Sequence, residues 1–123
     1  ESDPHFGLIQ TPIDIYNIFR DELNDYTETT FMLAAVNVKN FITITKVLPE
    51  LPIVRQVMRW AISHSAGGFI ICRNNLESFS FTPEEEQFLA EVGKAYSSIG
   101  IELLDYVLIG KAGYASARAE GII

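Results

Sequence analysis

Cysteine and histidine are almost missing from this chain. One cysteine, Cys72, excludes an internal disulfide and fits a reducing compartment. Two histidines, His5 and His64, leave little material for a histidine-based metal site. No apolar run approaches the roughly 18–20 residues that a membrane-spanning helix needs. No membrane association is therefore expected, and the expected location is cytoplasmic. There is no run of Lys or Arg either. With 9 basic against 16 acidic residues the formal net charge is −7. That is a poor match to a phosphate backbone, so direct nucleic-acid binding is not expected. Repeats, low-complexity tracts and internal linkers are absent. The first residues, Glu1-Ser2-Asp3-Pro4-His5, carry neither an initiator Met nor the apolar region of a signal peptide. What remains is 123 residues, 48% hydrophobic, with the apolar positions spread along the whole length. That suits one globular domain with one ordinary core.

Residues 1–10 read as a lead-in, in which Gly7-Leu8-Ile9 can add a short strand, and 11–123 as a single domain. Thr11-Pro12-Ile13-Asp14 is a helix start: Thr caps, Pro suits the first helical position and Asp the first turn. Ile15, Ile18, Phe19 and Leu23 form its apolar face. Thr29 to Val36 is a nearly continuous apolar strand, as expected for one covered on both sides. Asn37 to Asn40 makes a turn, and Phe41 to Val47 alternates as its hairpin partner. Ile53 to Ser65 has helical spacing, with Ile53, Val54, Val57, Met58, Ala61 and Ile62 on one side, and Gly67-Gly68 as the stop. Phe69 to Cys72 is a short buried strand. Thr82-Pro83-Glu84-Glu85 is a capping box opening a helix to about Ser98. Ile101 to Ile109 and Tyr114 to Arg118 are the last strands. The order α-β-β-α-β-α-β-β predicts an α/β fold, a three-layer sandwich of a mixed sheet flanked by helices.

The stretch Ile71 to Glu86, ICRNNLESFSFTPEEE, resembles the metal loop of the RadC-like JAB/MPN (JAMM-type metallohydrolase) family of bacterial proteins. That pattern is His-x-His, seven residues, then Ser-x-x-Asp. Other segments resemble the family in the same order. Arg55-Gln56-Val57-Met58 looks like its Arg-Glu-Val-Phe helix. Asn74 matches the residue between the two histidines. Gly100 to Gly110 looks like its Gly-Ile-x-Leu-Leu-Asp-His-x-Ile-x-Gly strand, with Tyr106 in place of His. Tyr114-Ala115-Ser116 and Gly121-Ile122-Ile123 look like its closing segments.

In active members, the resemblance implies, two His and an Asp hold zinc, and a Glu from the first core strand acts on the metal-bound water. Laid on this sequence, the two His positions fall on Arg73 and Asn75, the Ser on Pro83, the Asp on Glu86 and the catalytic Glu on Thr29. Arg has no lone pair to give a cation, and Asn is a weak ligand for zinc. Glu28 is adjacent to Thr29, but one residue along a strand turns a side chain to the other face. Zinc and peptidase chemistry are therefore expected to be lost, with no catalytic or metal-binding residue left. Arg73 and Glu86 have two readings: they point to solvent as unrelated surface charges, or they converge where zinc would sit, the guanidinium replacing the metal charge. Glu28, Asp105 and Ser116 are the candidate remnants or supporting residues, Asp105 and Ser116 as a buried hydrogen-bonded pair. Phe79 and Phe81 are expected to fold back over the vacated site. Cys72 reads as a core thiol, and His64 as a helix-end residue.

The expectation is a catalytically inactive domain without a cofactor, working as an interaction or scaffold module for a protein partner. Only the resemblance links it to the family's historical DNA-repair label. The alternatives are a hydrolase with an oxygen-rich site for Mg or Mn, built on Glu86, Glu28 and Asp105, and a nucleic-acid-associated module.

Overall fold

The strand Phe31–Val36 (β1) is buried at every position, because it is an interior strand of a sheet with helices over both faces. The computed structural model describes residues 7–74 and 80–123, with the side chains of 96–99 set aside. Around β1 the order is α1 (Pro12–Asn24), β2 (Ile42–Leu48), α2 (Val54–Ser63), β3 (Gly68–Asn74), α3 (Pro83–Ile99), β4 (Glu102–Ile109) and β5 (Tyr114–Ser116). This is the predicted α-β-β-α-β-α-β-β. The strands lie side by side as β2-β1-β3-β4-β5. β3 and β4 are parallel, joined across α3, and the other neighbours are antiparallel.

Period-two alternation splits the strand residues between two cores. Leu33, Phe69, Ile71, Tyr106 and Leu108 face α2 and α3. Met32, Ala34, Ile70, Cys72, Val107 and Ile109 face α1. No described helix is long and apolar enough to cross a membrane.

Several boundaries differ from the sequence reading. β1 begins at Phe31, not Thr29, because Thr30 turns its hydroxyl back to the Glu28 carbonyl (2.9 Å). β5 ends at Ser116, not Arg118, because the Ala117 N–H donates to the Tyr106 carbonyl (2.9 Å) and the chain turns away. α2 ends at Ser63, and the left-handed residue behind it is Ser65 (φ 55°) rather than a glycine. Gly68 instead opens β3. A Cβ there would stand 3.0 Å from the Glu102 carbonyl and 3.1 Å from Leu104.

That close approach belongs to a bulge. Phe69 pairs with Leu103 and Ile70 with Asp105, so Leu104 is extra. Leu104 packs toward α1, and Asp105 lies opposite Ile70 on the same side. Gly7, Leu8 and Ile9 are tied to the Asn40–Ile42 corner. Leu8 bridges Phe41, and the Ile9 N–H donates to the Asn40 carbonyl (2.8 Å).

Asn74 fastens the entry to β1. It is 1% exposed. Its Oδ1 accepts from the Thr30 N–H and its Nδ2 donates to the Glu28 carbonyl, both at 2.8 Å. An orphaned buried group costs about 1–3 kcal/mol. Asn74→Ala should therefore lower unfolding stability by about 2 kcal/mol in a urea titration. Asn74→Asp should do little better, since a carboxylate cannot donate to the Glu28 carbonyl. An unchanged midpoint for Asn74→Ala would mean that the amide is dispensable.

Candidate functional site

Three elements bring one polar cluster together on the α3 side of the sheet. β3 supplies Arg73, β4 supplies Tyr106 and the first turn of α3 supplies Glu85. Arg73 lies on the same face as Ile71, and Ile71 pairs with Tyr106 across the parallel ladder. Glu85 is the third residue after the cap Thr82. Its N–H donates to Thr82 Oγ1 (3.1 Å), and its Oε1 accepts from the Thr82 N–H (2.8 Å). A capping-box glutamate bends back toward its cap, and here that bend aims it at Arg73.

Glu85 is 1% exposed. Arg73 Nε donates to its Oε2 (2.5 Å) and Arg73 Nη2 to its Oε1 (3.1 Å), a two-pronged contact. The Tyr106 hydroxyl donates to Oε2 as well. Arg73 Nη2 also reaches the Ser80 carbonyl (3.0 Å), pinning the end of the loop. Both carboxylate oxygens are thus taken by neighbours. Burial, then the charge of Glu85 and its hydrogen bond, hold the Tyr106 phenol far above the ordinary tyrosine range, with Arg73 opposing. Phe81 is half-buried and packs on Tyr106 with ring centroids 6.0 Å apart.

Arg73 does pair with a carboxylate, but not with Glu86. Glu86 is exposed, and Glu85 takes the contact. The physical reason is the cap. A fixed seven-residue spacing puts Ser-x-x-Asp on Pro83 and Glu86. The same i, i+3 relation is met one residue earlier by Thr82 and Glu85, where it closes the capping box. Pro83 is instead the first residue of α3. Thr29 and Glu28 are exposed. They precede β1, so strand parity does not decide where they point. Asn75 and Phe79 lie outside the described residues, as does His5.

Asp105 and Ser116 do meet, but on the opposite face. Ser116 Oγ donates to Asp105 Oδ2 (2.6 Å), and the Tyr106 and Arg118 N–H groups donate to Oδ1 (2.7 and 3.1 Å). Of the carboxylates proposed for an oxygen-rich site, Asp105 is buried in this knot on the α1 side while Glu28 and Glu86 are exposed, and the three are not grouped. Cys72 is buried on the α1 side, and its thiol is pushed up, first by burial and then by the charge of Asp105. His64 is exposed at the end of α2, across the sheet from Cys72, and stacks edge-on with Trp60 at 5.1 Å. Among the described residues, no three His, Cys, Asp or Glu side chains are grouped to hold a metal ion.

A mixed five-stranded sheet with one helix on one face and two on the other is consistent with a JAB-like α/β architecture. The chain belongs to the RadC-like JAB domain family, whose profile it matches over residues 9–122. It is similar to UPF0758 proteins from several bacteria. Identity is 32% to one from Staphylococcus haemolyticus, over 92% of this chain and 53% of the relative. It is 31% to one from Halalkalibacterium halodurans, over 93% and 52%. It is 29% to one from Clostridium botulinum, over 94% and 54%. The chain thus spans about half the length of the curated relatives it matches.

Two outcomes test this cluster. Arg73→Ala strands a buried carboxylate and should cost about 3–5 kcal/mol of unfolding free energy, well above the ≲1 kcal/mol of an exposed pair. A thermal melt unchanged by the substitution would place the pair in solvent. The raised phenol of Tyr106 binds its proton more tightly when folded than unfolded. Its contribution is therefore full below the unfolded value of about 10 and declines as pH rises beyond it. An ultraviolet titration should show the Tyr106 phenol ionising only on alkaline unfolding, as a late step that vanishes in Tyr106→Phe.

Proposed function

We propose that this domain is a RadC-like JAB domain without metal or peptidase chemistry, and that it works as a protein-interaction module. The observation that carries the reading is the saturation of Glu85. Its carboxylate closes an i, i+3 pair with Thr82 at the start of α3, one residue before the position to which motif spacing assigns an active member's zinc-binding Asp. Here both oxygens accept from Arg73, Tyr106 and the cap. The guanidinium sits at the first His position and has no lone pair to donate. A fixed positive charge beside the carboxylate also opposes a cation electrostatically. Asn74, between the two His positions, is spent on the backbone of residues 28 and 30. The residues present do not fit zinc.

The net charge of −7 supports a protein partner over a nucleic acid. The DNA-repair association of the family therefore gives no reason to assign direct DNA contact to this domain. The purified domain, loaded with zinc and desalted, should retain a metal content near zero by elemental analysis. One zinc per chain, lost in Glu85→Gln, would overturn the proposal and make Glu85 a ligand.

A further inference from the structure

The apolar face predicted for the second helix is wider than the face the fold buries. Val57, Met58 and Ala61 are covered, yet Ile62 remains 55% exposed and Ile53 52% exposed. Val54, Met58 and Ile62 repeat every four residues and form one stripe along α2. Opposite them, among the described side chains, α3 presents the methyl of Ala95. A small residue there leaves a groove of about 610 Å³ between the helices. Its floor is almost wholly apolar. Among the described residues its charged lining side chains are Arg55 and Arg59, one turn apart, with no carboxylate beside them. In a chain carrying 16 acidic against 9 basic residues, two arginines beside an open apolar groove are a local reversal of charge.

We infer that the groove between α2 and α3 docks an amphipathic helix of a partner protein, with its apolar stripe on Val54, Ile62 and Ala95 above the buried floor residue Met58, and flanking carboxylates against Arg55 and Arg59. The ten residues of α2 give a track of about 15 Å, room for roughly three turns of a partner helix. Apolar anchors at i, i+3 or i+4 and i+7 would match the four-residue stripe. The arginine pair sets the sign of the partner. A second copy of this acidic chain is disfavoured by overall repulsion, and a basic helix by the rim. The inference rests on the interaction-module reading for its purpose and on the groove alone for its location.

The probe is a synthetic helical peptide of about 14 residues with Leu at i, i+3, i+7 and i+10 and Glu on the flanks, beside a twin with Lys on the flanks. Fluorescence anisotropy against the whole chain should show the Glu peptide binding at least about tenfold more tightly than the Lys twin at low salt, the gap closing as salt rises. Ile62→Asp should abolish binding while leaving the melt unchanged, since Ile62 is mostly exposed. The charge reversal Arg55→Glu with Arg59→Glu should invert the preference and rescue the Lys peptide, an outcome that misfolding cannot give. Equal affinity for both peptides, or binding of neither, overturns the inference. So does concentration-dependent self-association that Ile62→Asp removes, for a second copy would then be the occupant. Zinc content tests the interaction-module reading separately. Peptide failure in a metal-free domain sinks the groove alone, and stoichiometric zinc with intact peptide binding sinks only the metal-free reading.

Discussion

A carboxylate cannot be buried without partners, and Glu85 is buried almost completely. Its partners come from three directions: a guanidinium on β3, a phenol on β4 and the backbone at the start of its own helix. The long helix α3 is thereby anchored at its first turn to the two central parallel strands. The direction in which it leaves the sheet, and so its spacing from α2, follows from that anchor and from Phe88, Leu89 and Val92 packing beneath it. Replacing one partner leaves the rest facing an uncompensated charge, so the cluster stands or falls as a unit.

On the reading proposed here, the arginine does locally what a divalent cation would do in an active relative. It brings positive charge between a strand and a helix start and holds a carboxylate in place. The replacement keeps the mechanical function of a metal site, which is to tie loop, strand and helix together. It discards the open coordination position that catalysis requires. The scaffold can then persist while its surface takes up recognition.

Much of this architecture was legible because periodicity and end signals agreed. The unbroken apolar run in β1 announced a strand covered on both faces, and Thr11-Pro12 and Thr82-Pro83 marked helix starts that the structure has. The identity of the buried acid was not legible in the same way. Motif spacing pointed to Glu86 and cap chemistry to Glu85, one residue apart, and only the cap is a local physical constraint. Nor does anything in the composition of β4 reveal that Asp105 and Tyr106, adjacent in sequence, serve opposite layers. Asn74 was recognisable as a matching letter, but its task of holding the Glu28–Thr30 backbone depends on a contact 46 residues distant in the chain.

The extra residue in β4 has a consequence for where negative charge can reside. Without Leu104 as a surplus, Asp105 would face Ile71 on the α3 side, in the place Tyr106 now holds. It would then be a second carboxylate in the compartment of Glu85, with one guanidinium to neutralise both. The bulge moves Asp105 through the plane of the sheet and gives it separate donors in Ser116 and the Arg118 backbone. The sheet thus works as a partition between two anions, and a single-residue slip in one strand is what keeps them in different rooms.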